Sequence, residues 1–87
     1  MDQNWINSFR EKLDNHYQWP SVYLFKFIVP TGREHEVKKL FPANSTSEKL
    51  SKQGNYTSVS VQLLMPSRDA VIEIYEKASK ISGIVAL

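Results

Sequence analysis

The chain has 87 residues, of which 41% are hydrophobic and 23% are charged, and its formal net charge is +2 at pH 7. This length is enough for one small domain with a modest core. The net charge is too small to predict a polyanionic partner, and the lack of cysteine excludes disulfide bonds and thiolate zinc sites. The charged start lacks the apolar core of a signal peptide, and the apolar runs are too short to span a bilayer, so we expect a cytoplasmic protein and no membrane partner.

Residues 1–19 predict an amphipathic N-terminal helix. Its apolar side chains recur every three or four positions on one side, at Trp5, Ile6, Phe9 and Leu13. Pro20 marks the end of the helix, because the residue before a proline is pushed towards extended geometry. We therefore divide the chain into this helix and a domain that covers residues 20–87.

The segment SVYLFKFIVP predicts the first strand, since it is rich in β-branched and aromatic residues and ends at a proline. Successive side chains of a strand point to opposite faces of the sheet. One set is apolar throughout and predicts the core face: Tyr23, Phe25, Phe27 and Val29. The other set contains a lysine and predicts the opposite face: Leu24, Lys26 and Ile28.

A turn and a short helix are predicted next, in PTGREHEVKKLFP. Thr31 with Glu34 three residues later fits a capping box. The expected buried side chains are Val37, Leu40 and Phe41.

A polar hairpin arm, residues 47–52, then leads through a tight turn at Gly54–Asn55 into a long strand. That strand alternates between a mainly apolar set (Thr57, Val59, Val61, Leu63 and Met65) and a mainly polar set (Tyr56, Ser58, Ser60, Gln62 and Leu64).

The segment SRDAVIEIYEKASKIS predicts the strongest helix, capped by Ser67 and stopped by Gly83. Its apolar stripe consists of Ala70, Val71, Ile74, Tyr75, Ala78 and Ile81. A short final strand, IVAL, is expected to follow.

After the first helix, the predicted order is strand, helix, strand, strand, helix, strand. This order is typical of the ferredoxin-like fold, or alpha-beta plait. It predicts an α+β sandwich with a four-stranded antiparallel sheet and two helices on one face. Right-handed crossovers would place the first and third strands in the middle and the polar second strand at an edge.

The sequence also resembles a known family. The stretch SKQGNYTSVSVQL, an acidic-basic helix and SKISGIVAL are similar to the small bacterial YbeD-like family of unknown function, over roughly residues 20–87. The resemblance is carried by Lys52, Gly54, Tyr56, Ser58, Val59, Val61, Ile74, Tyr75 and the final strand. It implies a ferredoxin-like fold similar to ACT regulatory domains, and no established activity. Gene neighbourhood suggests a link to lipoate metabolism for some members of that family.

No arrangement of residues predicts catalysis, and we expect neither an enzyme nor a cofactor or metal site. The two histidines, His16 and His35, lack further ligands at helical spacing, and no serine lies in a nucleophile motif. The ACT-like reading instead points to the turn formed by Pro30, Thr31, Gly32 and Arg33. Its helix N-terminus and its arginine would suit a small anionic metabolite. The alternative is a strand-to-helix turn that simply needs glycine.

The remaining candidate is an interaction surface. It joins the face opposite the core (Leu24, Lys26, Ile28, Tyr56, Ser58, Ser60, Gln62 and Leu64) to the helix side chains Trp5, Phe9 and Leu13. The helix would cover the sheet within one chain or in a homodimer. We therefore predict a non-enzymatic interaction or regulatory module that binds a protein partner or itself. The alternatives are an ACT-like metabolite sensor and a weak RNA-binding domain that uses Tyr56 for base stacking.

Overall fold

The computed structural model describes residues 3–87 and contains three helices and four strands. The helices are α1 (Gln3–His16), α2 (Glu34–Lys38) and α3 (Arg68–Ala78), and the strands are β1 (Ser21–Pro30), β2 (Ser47–Leu50), β3 (Tyr56–Met65) and β4 (Val85–Ala86). The predicted α+β class and the four-stranded antiparallel sheet are confirmed.

The sheet has the strand order β2-β3-β1-β4. The two long strands, β1 and β3, lie in the middle and pair along their whole length, from Ser21 opposite Met65 to Pro30 opposite Tyr56. The polar strand β2 forms one edge, as predicted, and β4 forms the other. β4 pairs only with Phe27 and Ile28 of β1.

The core lies on one face of the sheet, because alternate side chains of both long strands are apolar and point to the same side. From β1, this face carries the four predicted core residues, and all of them are buried. Buried side chains of all three helices join the same cluster: Ile6, Leu13, Val37, Val71, Ile72, Tyr75 and Ala78. All three helices therefore lie on the core side of the sheet.

The N-terminal helix is shorter than predicted. It ends at His16 rather than at residue 19, and the first two residues of the predicted range lie outside the described residues. Tyr17 closes the last turn, because its N–H donates to the Leu13 carbonyl at 2.9 Å. Its ring then stacks on Trp19, with centroids 5.4 Å apart, and packs against Tyr23 of β1. Pro20 also disfavours helical geometry at the residue before it.

α1 packs against α3, on the side of the sheet that holds the core. Arg10 Nε lies 3.1 Å from Asp69 Oδ1, and Arg68 pairs with Asp14. Leu13 is only 3% exposed. The idea that this helix covers the opposite face within one chain is therefore wrong, since its apolar stripe is already used in the core.

The predicted capping box at α2 is also wrong. The N-cap residue is Arg33, and it makes no side-chain cap hydrogen bond. The Thr31 hydroxyl instead pairs with the Thr57 hydroxyl at 3.1 Å, and the Glu34 carboxylate accepts the backbone N–H of Gly32. By contrast, the cap predicted for α3 is confirmed, because the Ser67 hydroxyl accepts the N–H of Ala70 at 3.2 Å.

Two predicted glycine turns differ from the structure. Five residues, 51–55, connect β2 to β3 rather than a two-residue turn, with Gly54 at a φ of 74°. α3 ends at Ala78, five residues before Gly83. Gly83 has a φ of 75°, and a Cβ there would lie 2.8 Å from Pro30 Cγ, so glycine allows the chain to pass close to the end of β1.

Candidate functional site: the open face of the sheet

The side of the sheet away from the helices is lined by the second set of strand side chains. Residues paired across antiparallel strands share a face. Ile28 pairs with Ser58 and Val85, and Lys26 pairs with Ser60. We call this side the open face and define it by Val22, Leu24, Lys26, Ile28, Lys49, Ser58, Ser60, Gln62, Leu64 and Val85.

One end of the open face is apolar. Val22 lies opposite Leu64, and Leu24 lies opposite Gln62 on the same two strands. Leu24 is 54% exposed and Leu64 is 63% exposed, because all three helices pack on the other side of the sheet. Clustered apolar side chains with this exposure are typical of an interaction site rather than of an inert surface.

The charge of the open face is positive. It carries Lys26 and Lys49, and none of the ten residues that define it is acidic. The neighbouring acidic residue Glu48 lies on the opposite side of β2, where its carboxylate is 2.7 Å from Lys38 Nζ. The two lysines therefore present ammonium groups beside apolar side chains, without an acidic side chain among the ten residues that define the face.

A shallow groove crosses this face towards β2 and the chain end. It has a volume of about 410 Å³ and is lined by Lys26, Ile28, Lys49, Leu50, Ser51, Tyr56, Ser58 and Leu87. The Tyr56 side chain is half exposed at its rim. The groove thus combines an apolar floor with two cationic side chains and one aromatic ring.

The structure brings together most of the predicted interaction surface but separates it from the helix. Leu24, Lys26, Ile28, Ser58, Ser60, Gln62 and Leu64 share the open face, and Tyr56 lies at its end. Phe9 instead packs edge-on against Tyr75, with ring centroids 5.2 Å apart, and Leu13 is buried in the core. Trp5 contacts Phe9, so it also belongs to the helix side.

Sequence reasoning missed Val22, Lys49, Val85 and Leu87. Val22 has the same parity as Leu24 in β1, so the alternation could have identified it. Lys49, Val85 and Leu87 could not be found in this way, because their positions depend on how the short edge strands pair.

Two carboxylates from the following helix already bind to the predicted ligand turn, Pro30 to Arg33. Arg33 pairs with Glu36 at 2.9 Å, and Gly32 donates its N–H to Glu34. The neighbouring cavity, about 440 Å³, is lined in part by Glu34 and Glu48, whose charge disfavours an anion. Metabolite binding at this turn stays a prediction.

Both histidines are exposed, at the end of α1 and within α2. Within residues 3–87, no three residues of the metal-binding types lie close enough together to hold a metal ion.

Among the described residues, the titratable groups with clearly shifted pKa values are two core tyrosines. The hydroxyls of Tyr23 and Tyr75 lie 3.0 Å apart and hydrogen-bond to each other. Burial raises the pKa of both phenols, since the charged form would lose its water. This pair therefore holds β1 against α3 and is not part of the open face.

This hydrogen bond predicts a distinctive stability pattern. Tyr75→Phe leaves the buried Tyr23 hydroxyl unpaired and should cost about 1–3 kcal/mol, whereas Tyr23→Phe with Tyr75→Phe should be nearly neutral at pH 8.

Because the folded pKa values lie above the unfolded value of about 10, the wild-type protein should lose stability as the pH rises above about 10. The double variant should lack this loss. Urea unfolding at pH 8 and at alkaline pH measures both effects, and a single variant as stable as the double one would contradict the pairing.

The fold and the open face thus define a small α+β protein with an exposed surface that is both apolar and basic. The chain belongs to the family described as protein of unknown function (DUF493), whose sequence pattern matches residues 14–87. Neither the curated proteins nor the solved structures contain a match. Among the described residues, no helix has the length and apolar character needed to cross a membrane.

Proposed function

We propose that this protein is a non-enzymatic interaction module that docks on another protein through the open face. The observation that carries the proposal is the combination of Leu24 and Leu64, both more than half exposed, with Lys26 and Lys49 on a face that holds no acidic residue. A complementary partner surface would supply apolar side chains and carboxylates. Burial of the apolar groups would give affinity, and the charges would fix the register.

A second copy of this chain is a poorer occupant. A two-fold contact places the same patch on both sides of the interface. Two open faces would then bring four lysines together without one carboxylate among their defining residues. The charge pattern therefore favours a different, acidic partner over a homodimer.

The other two candidate functions have weaker support. A sensor of an anionic metabolite would have to displace Glu34 and Glu36 from the Pro30–Arg33 turn. An RNA-binding domain would stack bases on aromatic side chains of the sheet, and the groove offers only Tyr56 for that purpose.

We also propose that the fold is ferredoxin-like and similar to ACT regulatory domains, as the resemblance to the bacterial YbeD-like family implies. The central positions of β1 and β3 support this assignment, as do the two crossovers, from β1 through α2 to β2 and from β3 through α3 to β4. A cytoplasmic location and a regulatory role belong to the same proposal.

Charge reversal on the open face tests the function. A variant with Lys26→Glu and Lys49→Glu should capture its protein partner from nuclease-treated native lysate at least about tenfold less than the wild type, because attraction becomes repulsion. The matched control is Lys12→Glu with Lys80→Glu, which makes the same charge change at exposed positions of α1 and beyond α3. Mass spectrometry quantifies the captured protein in all three samples.

Three results would contradict the proposal. Both double variants could lose the captured partner to the same extent, the open-face variant could capture as much partner as the wild type, or a dimer of this chain could be the only complex recovered. Recovery of RNA in place of a protein, when nuclease is omitted, would favour the RNA-binding alternative.

A further inference from the structure

β1 is unpaired along half of its outer edge. The strand has ten residues, but β4 pairs only with Phe27 and Ile28. The last contact is made by Leu87, whose backbone N–H donates to Lys26 O at 2.9 Å. In the described part of the chain, no strand lies beside residues 21–25 on this side, which we call the β1 edge.

The polar groups of the β1 edge can be assigned from the pairing. In an antiparallel sheet, the N–H and C=O of one residue point to the same side, and the next residue points to the other. Since Lys26 O points towards β4, the backbone groups of Leu24 and Val22 point outwards at the β1 edge. The Val22 carbonyl accepts a long contact of 3.4 Å from the Ser21 hydroxyl. Such a row of backbone donors and acceptors is a template for an extended chain.

The helix side of this edge has a place for an apolar side chain. A cavity of about 150 Å³ is lined by Trp5, Phe9, Tyr23, Tyr75, Ala86 and Leu87. An apolar cavity of about this volume can hold a benzene ring. A strand that continues the line of β4 would point the side chain opposite Tyr23 to this side of the sheet.

On the open-face side of the same edge, the added strand would favour an acidic side chain. The residue opposite Leu24 would lie on the open face, diagonal to Lys26. A carboxylate there would meet the lysine, in keeping with the charge of the whole face.

We propose that the β1 edge receives an extended segment of the partner protein, antiparallel to β1 and in line with β4. The segment has an acidic residue opposite Leu24 and an apolar residue opposite Tyr23, and it adds to the sheet through backbone hydrogen bonds with Leu24 and Val22. This inference rests on the proposed function, because it specifies how the same partner is held.

Synthetic peptides test the inference on the full-length protein. The probe is Ac-Glu-Phe-Thr-Val-amide, placed opposite Leu24 to Ser21, so that its glutamate lies opposite Leu24 and its acetyl group lies opposite Phe25, next to Leu87. Two matched peptides carry one N-methyl group each. Methylation of the glutamate nitrogen removes the donor to Leu24 O, whereas methylation of the phenylalanine nitrogen alters a group that points away from β1. Titration of ¹⁵N-labelled protein at millimolar peptide measures the affinities and the shifts of the Val22 and Leu24 amides.

The parent and the phenylalanine-methylated peptides should bind alike and shift both amides, and the glutamate-methylated peptide should bind about tenfold more weakly or worse. Equal binding of both methylated peptides, no binding of any peptide, or shifts confined to other residues would overturn the inference. If lysine-dependent capture of the partner persists in that case, the open-face function stands and only the strand addition fails. If charge reversal of the two lysines also leaves partner capture unchanged, the proposed function and the strand addition are both wrong.

Discussion

Replacing Phe25 by alanine is expected to destabilise the protein by about 3–5 kcal/mol. The Phe25 ring is fully buried and contacts four other rings, those of Tyr23, Phe27, Phe41 and Tyr75, with centroids 4.8 to 6.3 Å away. The cavity left by alanine would lie between β1, Tyr75 of α3 and Phe41, which follows α2. Since small domains are stable by about 5–15 kcal/mol, this change should remove a large part of the total.

Urea unfolding followed by far-UV circular dichroism measures this loss. Phe25→Leu is the matched variant, because it keeps an apolar side chain and should cost clearly less. Equal stability of the alanine variant and the wild type would mean that β1 does not pack against the helices as described.

Deletion of residues 1–18 should have a comparable effect. α1 contributes Ile6 and Leu13 to the core, and truncation of one such side chain alone typically costs about 2–5 kcal/mol. The deletion would also expose Tyr75 where Phe9 covers it. We therefore expect a largely unfolded or aggregating product, although most of the deleted segment lies before the region that the family pattern matches.

Leu13→Ala gives the same test in a chain that should still fold, with Lys12→Ala as its exposed neighbour and control. A truncated protein that stays soluble, monomeric and as stable as the full chain would contradict the role of α1 in the core.

Local patterns predicted the faces of the long strands correctly. The alternation in β1 separates Phe25 and Phe27 from Leu24 and Lys26, and both sets lie where that alternation placed them. This works because side-chain direction in a strand has a strict period of two. The cap at Ser67 was predictable for a similar reason, since it depends only on the next three residues.

Features that depend on distant contacts could not be predicted in this way. The apolar stripe of α1 fits either face of the sheet by its pattern alone, and its packing against α3 depends on contacts with residues distant in sequence, such as Arg68 and Asp69. The β1 edge depends on the shortness of β4, which the apolar sequence IVAL does not reveal. The charge available at the Pro30–Arg33 turn depends on Glu34 and Glu36, whose side-chain directions are set by the local fold.

The most direct test of the open face as a docking surface is lysine footprinting of the captured complex. Brief acetylation of the free and the partner-bound protein, followed by mass spectrometry, compares Lys26 and Lys49 with the exposed Lys12 and Lys80. We expect bound partner to protect Lys26 and Lys49 while Lys12 and Lys80 react as in the free protein. Reaction of Lys26 and Lys49 at their free rates in a stable complex would show that the partner binds elsewhere and would contradict the proposal.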